Sequence, residues 1–376
     1  MSEFAAGPAG RIERVRALMA ERGYDAIVVR DEANLRWLTG VRGVFDYTFE
    51  FPHAAFITAD QCLFHTDSRY LNSFEENTPA CSPWVYDMDE GTIPGWVAGK
   101  IAANKCRVCA VEDDMQINFY QGIQRGLEDR SIACMLPLMH DDIRKMRAIK
   151  DAEEIELMRH AQSITDAAFQ HMLGFIKPGM TEKQVRNELE NFMFANGADS
   201  LAFGSIVASG PNTANPHAVP SDRVIEKGDF VLMDYGAGYC DYRSDMTRTV
   251  VMGEPTQEQL DLYALVRRTH EECVAAIHPG VEGNDIFKLS KKIIGDAGYG
   301  DYYNHGLGHG VGIDIHELPN FNRSKNIIEV GSVVTMEPGV YLPGVGGVRL
   351  EDYGVVTENG YEPFTKTSHD LHVIDC

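Results

Sequence analysis

The sequence predicts an α+β protein in two parts: a smaller α/β domain over residues 1–139, then a larger domain over residues 140–376 made of two copies of one unit. Three observations carry that prediction. Up to about residue 138, short apolar runs alternate with helical segments, the pattern of an α/β layer. After Pro137 the text turns into a long charged amphipathic stretch. Beyond it, three segments recur in the same order at almost the same offset. The length agrees with two cores, because single cores stop growing near ~250–300 residues and this chain has 376.

In the first part, Ile12, Val15, Leu18 and Met19 recur at helical spacing, Gly23 ends that helix, and Asp25–Val29 follows as a short buried strand. Further strands are expected at 54–58 (AAFIT), 61–66 (QCLFHT), 107–111 (RVCAV) and 132–138 (IACMLPL). There is no GxGxxG and no Walker lysine loop, so a nucleotide-binding role has no support and a structural or lid domain is expected. Cys106 and Cys109 form the only close cysteine pair among eight, and they sit in KCRVCAVE, which reads as a buried strand. A zinc knuckle needs a second pair that is missing here, so free thiols in a reducing cytosol are expected. After Pro137, RKMRAIKDAEEIELMRHAQSITDAAFQHML reads as one long amphipathic helix with Ile149, Ile155, Leu157, Met158 and Ala161 on or near one face.

Charge and hydropathy narrow the function. Lys plus Arg number 34 against 56 Asp plus Glu, a net charge of −22. Such a chain repels a phosphate backbone, which argues against nucleic acid and anionic membranes as partners. No window approaches the ~18 apolar residues of a membrane span. The stretch MSEFAAGPAGRIERVRALM has neither an apolar core before its first charges nor a cleavage pattern, so no secretory signal is expected. The expectation is a soluble cytoplasmic protein.

The duplication brings acids into register. KPGMTEKQV and HPGVEGNDI place Pro178 and Pro279 at an offset of 101, PHAVP and IHELP place His217 and His316 at 99, and GDFVLMDYG and GSVVTMEPG place Asp234 and Glu337 at 103. Residues ~150–376 therefore read as two copies of a helix-helix-strand unit. Asp234 and Glu337 each close an apolar run that reads as a central strand, and each copy adds a second acid past a turn, Asp245 in YRSDMTRT and Glu351 in GGVRLED. The midpoints of the two pairs, Tyr239–Cys240 and Gly344, fall in turn-like text, so each pair is expected to face across a hairpin. Four carboxylates around one point are unfavourable unless divalent cations neutralise them. In HGLGHGVGIDIHELP one neutral imidazole of His305, His309 and His316 would complete an oxygen-rich ligand set, leaving two for proton traffic. Glycines 306, 308, 310 and 312 rule out a good helix and would let backbone approach a ligand closely.

These motifs resemble a known family. SGPNTANPHAVPSDRVIEKGDFVLMDYGAGY, YRSDMTRTVVMGEP, HGLGHGVGIDIHELP, VVTMEPGVY and GVRLEDYGVVTENGYE are similar to those of the pita-bread metallopeptidases, which include Xaa-Pro dipeptidase, aminopeptidase P, methionine aminopeptidase and creatinase. Weaker similarity runs through RGYDAIVVRDEANLRWLTG, TDSRY and MRAIKDAEEIELMRHA. The resemblance implies a C-terminal pita-bread domain behind a creatinase-like N-terminal domain, the arrangement of prolidase and aminopeptidase P; methionine aminopeptidases of this type lack the N-terminal part. Carried over by position, it implies metal ligands at Asp234, Asp245, His309, Glu337 and Glu351, with Asp245 and Glu351 bridging two metals, and active-site roles for His217, His305, His316 and Arg349. Asp241 and Arg243 depart from the usual text at the rim, and the tail TKTSHDLHVID is only loosely similar.

The chemistry this implies is hydrolysis of Xaa-Pro bonds in dipeptides or short peptides by a hydroxide shared between two divalent ions. Glu337 is the candidate general base, and His217 or His316 would donate to the oxyanion. His305 would orient substrate or the His309 shell. Arg349, two residues before Glu351 and on the same strand face, would orient a bridging carboxylate or hold the substrate's carboxyl terminus. Four oxygens and one nitrogen suit Mn, Fe, Co or Zn, with manganese favoured by the resemblance. The resemblance also implies a homodimer. Creatinase-like C–N hydrolysis is disfavoured because the metal carboxylates are intact. A same-fold lyase would carry an acid two residues after Asp234, where Gly236 stands, and a binding-only protein of this fold would have lost its ligands.

Overall fold

The computed structural model describes residues 7–44, 51–80, 82–88 and 91–375; the first six residues of the N-terminal stretch read above, Cys81 and Cys376 lie outside them. The chain divides into two compact units, Met1–Arg147 and Ala148–Cys376. The change falls past residue 140 because the short helix Asp142–Ala148 carries Arg147 into the first unit, where its buried guanidinium donates to Asn34 Oδ1 at 2.8 Å. The long helix expected from residue 144 onward is interrupted there. Asp151 accepts from Glu154 N and Glu154 reciprocates onto Asp151 N, so a capping box starts a new helix, Ala152–Phe175.

The first unit is a mixed five-stranded sheet in the order Val85–Asp87, Cys62–His65, Ala54–Thr58, Ala26–Val29, Cys109–Val111. Strand Ala26–Val29 is buried throughout, as its unbroken apolar text requires, and Ala26 and Val28 share a core with Trp96, Val97 and Ile101 of helix Ile93–Ala103 and with Ile123 and Leu127 of helix Ile117–Asp129. Helix Gly7–Arg22 buries Ile12, Val15 and Met19, and Gly23 closes it with φ 71°. The stretch 132–138 forms no strand. Parallel bridges at Met135 and Leu138, both exposed, join it to the sheet while Ile132, Cys134 and Leu136 pack against the core, and Pro137 has no N–H to extend the pairing. Cys106 and Cys109 are free and buried in the core, and burial pushes the Cys106 thiol up to about 11.

The second unit repeats itself. Helices Ala152–Phe175 and Glu182–Ala195 precede the antiparallel strands Ile206–Ser209, Phe230–Tyr235 and Met246–Met252; helices Gln257–Ala275 and Gly283–Asp296 precede Gly308–Gly310, Val333–Met336 and Asp352–Thr357. The correspondence extends to backbone detail: Gly179 and Gly280 have φ 91° and 87°, Gly228 and Gly331 have 89° and 90°, and bridges Thr181↔Val224 and Glu282↔Ile327 sit at matching places. One core belongs to the first copy around Phe169, Leu189 and Met233, one to the second around Ile277, Phe321 and Met336, and a third joins Phe230 and Val251 to Val340, Val348 and Leu350. Among the described residues no helix is long and apolar enough to cross a membrane.

Between the two acids of each copy lies an extra hairpin. Ala237–Tyr239 pairs with Tyr242–Arg243 across a turn with φ 47° at Cys240 and 70° at Asp241, and Gly339–Leu342 pairs with Gly346–Arg349 across Gly344. Both turns lie at or beside the midpoints read from the sequence. The facing of the acids differs between copies. Carrying the Met336↔Asp352 register one step sets Glu337 opposite Glu351, as expected. Asp234, however, pairs with Thr247, and Asp245 lies beyond Met246↔Tyr235, opposite Gly236. Asp234 and Asp245 are therefore diagonal neighbours on one face rather than a directly opposed pair.

Candidate metal centre

All nine residues singled out in the sequence line one cavity of about 730 Å³ in the second unit: His217, Asp234, Asp245, His305, His309, His316, Glu337, Arg349 and Glu351. Strand ends deliver the acids. Asp234 lies near the end of Phe230–Tyr235, Asp245 precedes Met246–Met252, Glu337 follows Val333–Met336 and Glu351 precedes Asp352–Thr357. His309 is the middle residue of Gly308–Gly310. The glycines around it serve this strand, not a ligand: a Cβ on Gly308 would come within 2.2 Å of Thr335 O, and one on Gly310 within 2.2 Å of Leu318 O, so only glycine lets the strand lie between its two neighbours.

The tightest group is Asp245, His309 and Glu351, whose ligand atoms lie within 4.8 Å of one another. His309 Nε2 stands 3.6 Å from Asp245 Oδ2 and 3.5 Å from Glu337 Oε1. Its Nδ1 lies 3.0 Å from the Gly310 carbonyl, which only accepts, so Nδ1 carries the proton and Nε2 presents a lone pair to two carboxylates. Burial and the neighbouring His316 keep this imidazole neutral, with its pKa down at about 3. Burial pushes Asp245 and Glu351 well above the usual carboxylate range, and the surrounding carboxylates push both further. Burial raises Glu337 to about 7 against the opposing pull of Arg349. Asp234 is raised by burial and held back by Arg349, whose Nη2 donates to Oδ2 at 2.5 Å; its Oδ1 is buried without a hydrogen-bond partner. The His309 Nε2 lone pair therefore faces the carboxylate oxygens of Asp245 and Glu337 across one space. A divalent cation fits that donor set, and an array of hydrogen bonds does not.

Three further side chains, not picked out in the sequence, hold these groups in place. Thr247 Oγ1 donates to Glu351 Oε2 at 2.7 Å and accepts from Arg349 Nε at 3.0 Å. Tyr341 Oη meets Arg349 Nη1 at 2.8 Å and His305 Nε2 at 3.0 Å. Thr335 Oγ1 accepts from His309 N at 3.0 Å. Thr247 was legible in principle, since it lies two residues past Asp245 and strand alternation gives it the same face. Burial opposes the Arg349 charge, but Tyr341, Asp234, Glu337 and Glu351 together raise its pKa well above the ordinary value. The remaining histidines are less enclosed. His217 and His316 are exposed on the wall, with the His316 ring centroid 4.2 Å from that of His309, and burial lowers His305 to about 4. Arg243 does not line the cavity. It donates to the carbonyls of Leu201, Ala202 and Ile313 and so braces the loop before His316.

Residues 156–358, more than half of the chain, match metallopeptidase family M24. The chain belongs to that family. Residues 11–149 of this metallopeptidase match the creatinase/prolidase N-terminal domain, which together with the fold bears out the two-domain pita-bread architecture. Over 368 residues it is 36% identical to an uncharacterized peptidase of Bacillus subtilis, covering 97% of this chain and 100% of that one. The structure of an Xaa-Pro dipeptidase from Bacillus anthracis superposes with a TM-score of 0.90 at 35% identity over 98% of this chain and 100% of that one. An X-Pro aminopeptidase from Thermotoga maritima gives 0.85 at 30% identity, covering 97% and 100%.

Proposed function

We propose that this metallopeptidase hydrolyses Xaa-Pro bonds in dipeptides and short peptides at a centre where Asp234, Asp245, His309, Glu337 and Glu351 would hold two divalent ions. The observation that carries the reading is the His309 Nε2 lone pair facing Asp245 and Glu337 carboxylates that burial and mutual repulsion hold in an unfavourable state. Two divalent cations held there would supply Lewis acidity toward the scissile carbonyl and lower the pKa of the attacking water.

The remaining work falls to the chain's own groups. Glu337 accepts the proton of the attacking water at its carboxylate and returns it to the leaving proline nitrogen. His217 or His316, on the exposed wall, donates to the developing oxyanion. Tyr341 holds His305 toward the substrate. Arg349 orients Asp234 directly and Glu351 through Thr247. Phe203, Val219 and Ile315 give the cavity an apolar wall for the pyrrolidine ring, which has no amide N–H to recognise and is selected by shape. The oxygen-rich ligand set favours manganese over a thiolate-preferring metal. Free thiols at all six described cysteines support a cytoplasmic setting. The family resemblance supports a homodimer.

A second reading, an aminopeptidase acting on longer peptides, is favoured by the cavity volume of about 730 Å³, in the range of ~300–1,000 Å³ that holds drug-sized ligands. The deciding experiment compares Ala-Pro with Ala-Pro-Ala in the Mn-loaded enzyme, with and without chelator. The dipeptidase reading expects faster cleavage of Ala-Pro, lost with chelator and restored by Mn2+. Preference for the tripeptide moves the assignment to the aminopeptidase, and cleavage of neither overturns both.

A further inference from the structure

Glu351 and Asp352 are consecutive, and a strand sends consecutive side chains to opposite faces. Glu351 lines the cavity and Asp352 does not. Behind the sheet Asp352 meets two imidazoles, His270 from helix Gln257–Ala275 and His369 from the C-terminal tail. His369 Nε2 lies 2.6 Å and His270 Nε2 3.7 Å from the same oxygen, Asp352 Oδ2, and the ligand atoms of all three residues lie within 4.8 Å of one another. The other oxygen, Oδ1, accepts from Arg248 Nη2 at 2.7 Å, which fixes the carboxylate and leaves Oδ2 directed at the histidines. His270 is 1% exposed, yet neither of its ring nitrogens has a hydrogen-bond partner. A buried imidazole in that condition is an anomaly that calls for a ligand.

We propose that His270, Asp352 and His369 form a second, mononuclear cation site of the zinc class, separate from the centre in the cavity. Two imidazole nitrogens and one carboxylate oxygen are a zinc-type donor set, in contrast to the oxygen-rich set on the other face. Tetrahedral bonds of ~2.0–2.1 Å place donor atoms ~3.3–3.4 Å apart, and the separations of 2.6 and 3.7 Å bracket that value. The side chain of His369 is 24% exposed, so the fourth position opens to water. Arg248 sets a positive charge beside the site and keeps its affinity below that of a fully anionic one. An ion here ties the tail to the residue after Glu351. The same tail continues into Val373–Ile374, which pairs with Val251 and Met252 at the far end of the strand Met246–Met252 that Asp245 precedes. The site stabilises the scaffold of the centre and takes no part in the reaction.

The test uses the full chain carrying Asp245→Asn and His309→Ala, which disarms the cavity, with and without His369→Gln in the exposed tail. After dialysis against Zn2+, elemental analysis is expected to read one zinc per chain fewer once His369→Gln is added. Zn2+ is expected to raise the unfolding temperature only of the chain that keeps His369. Co2+ in the chain that keeps His369 should give the visible d–d bands of a tetrahedral ion, a readout that does not depend on the folding of the glutamine variant. Equal zinc content with and without His369→Gln, or no tetrahedral Co2+ bands, overturns the proposal and leaves His369, Asp352 and Arg248 as an ion-paired network.

Discussion

Glu337, which lines the cavity, and Thr247, which holds Glu351 and Arg349, stand for the two kinds of residue at the site, one proposed to move a proton and one that positions its neighbours. Replacing Glu337 with Gln keeps the shape and removes the base, and kcat is expected to fall ~10²–10⁴-fold; pre-steady-state kinetics with the Mn-loaded variant check this. Thr247→Val removes the hydroxyl that links Arg349 to Glu351. Metal affinity or turnover should drop ~10–100-fold, read by Mn2+ titration, with the fold intact by circular dichroism. Asp234 and Glu337 were legible in the sequence because each closes an apolar strand where a charge has no other reason to be, Asp245 and Glu351 because the duplication sets a matching acid past a turn in each copy, and His309 through the family motif that HGLGHGVGIDIHELP resembles. Tyr341 was not. It sits in an added hairpin whose course no periodicity in GVYLPGVGG reveals, and its hydroxyl reaches Arg349 only because that hairpin folds Gly339 against Arg349.

Strands and turns set how near the acids come. Gly236 stands opposite Asp245, and a Cβ there would come within 1.9 Å of Ser244 O, so Gly236→Ala has to move the backbone that carries Asp245. A cost of ~1–3 kcal/mol is expected, read as a fall in unfolding temperature of roughly 2–4 °C per kcal/mol, together with lost activity that added Mn2+ restores only in part. The duplication predicted this architecture well, because matched glycines and matched apolar runs impose the same turns and the same strands in both copies. It missed the offset of Asp234 against Asp245, since a register two residues different keeps the same faces and leaves the apolar pattern unchanged, so it shows only in pairing. The break after Ala148 was missed for a related reason. The amphipathic text runs on without interruption, and Asp151 with Glu154 reads equally well as helix surface or as a capping box.

Across the whole molecule, the acidity of the chain acts locally as a store of repulsion that metal relieves. Asp245, Glu351 and Glu337 have folded pKa values above their ordinary ones, so their contribution to stability is full below the unfolded pKa and is lost as pH rises through the folded values. His270, lowered to about 4 by burial, runs the other way and destabilises only as pH falls from about 6.5 toward 4. Scanning calorimetry between pH 6 and pH 8 largely avoids that acid window. The gap in unfolding temperature between Mn-loaded and EDTA-treated protein is expected to widen with pH, and a gap that stays constant would count against the carboxylate cluster as its source. The most direct test of the central claim is an anomalous-difference map from crystals grown in excess Mn2+. The account predicts two peaks in the cavity, with Asp245 and Glu351 reaching both and His309 Nε2 reaching one. A cavity without peaks, with Asp234, Asp245, Glu337 and Glu351 turned away from one another, would contradict it.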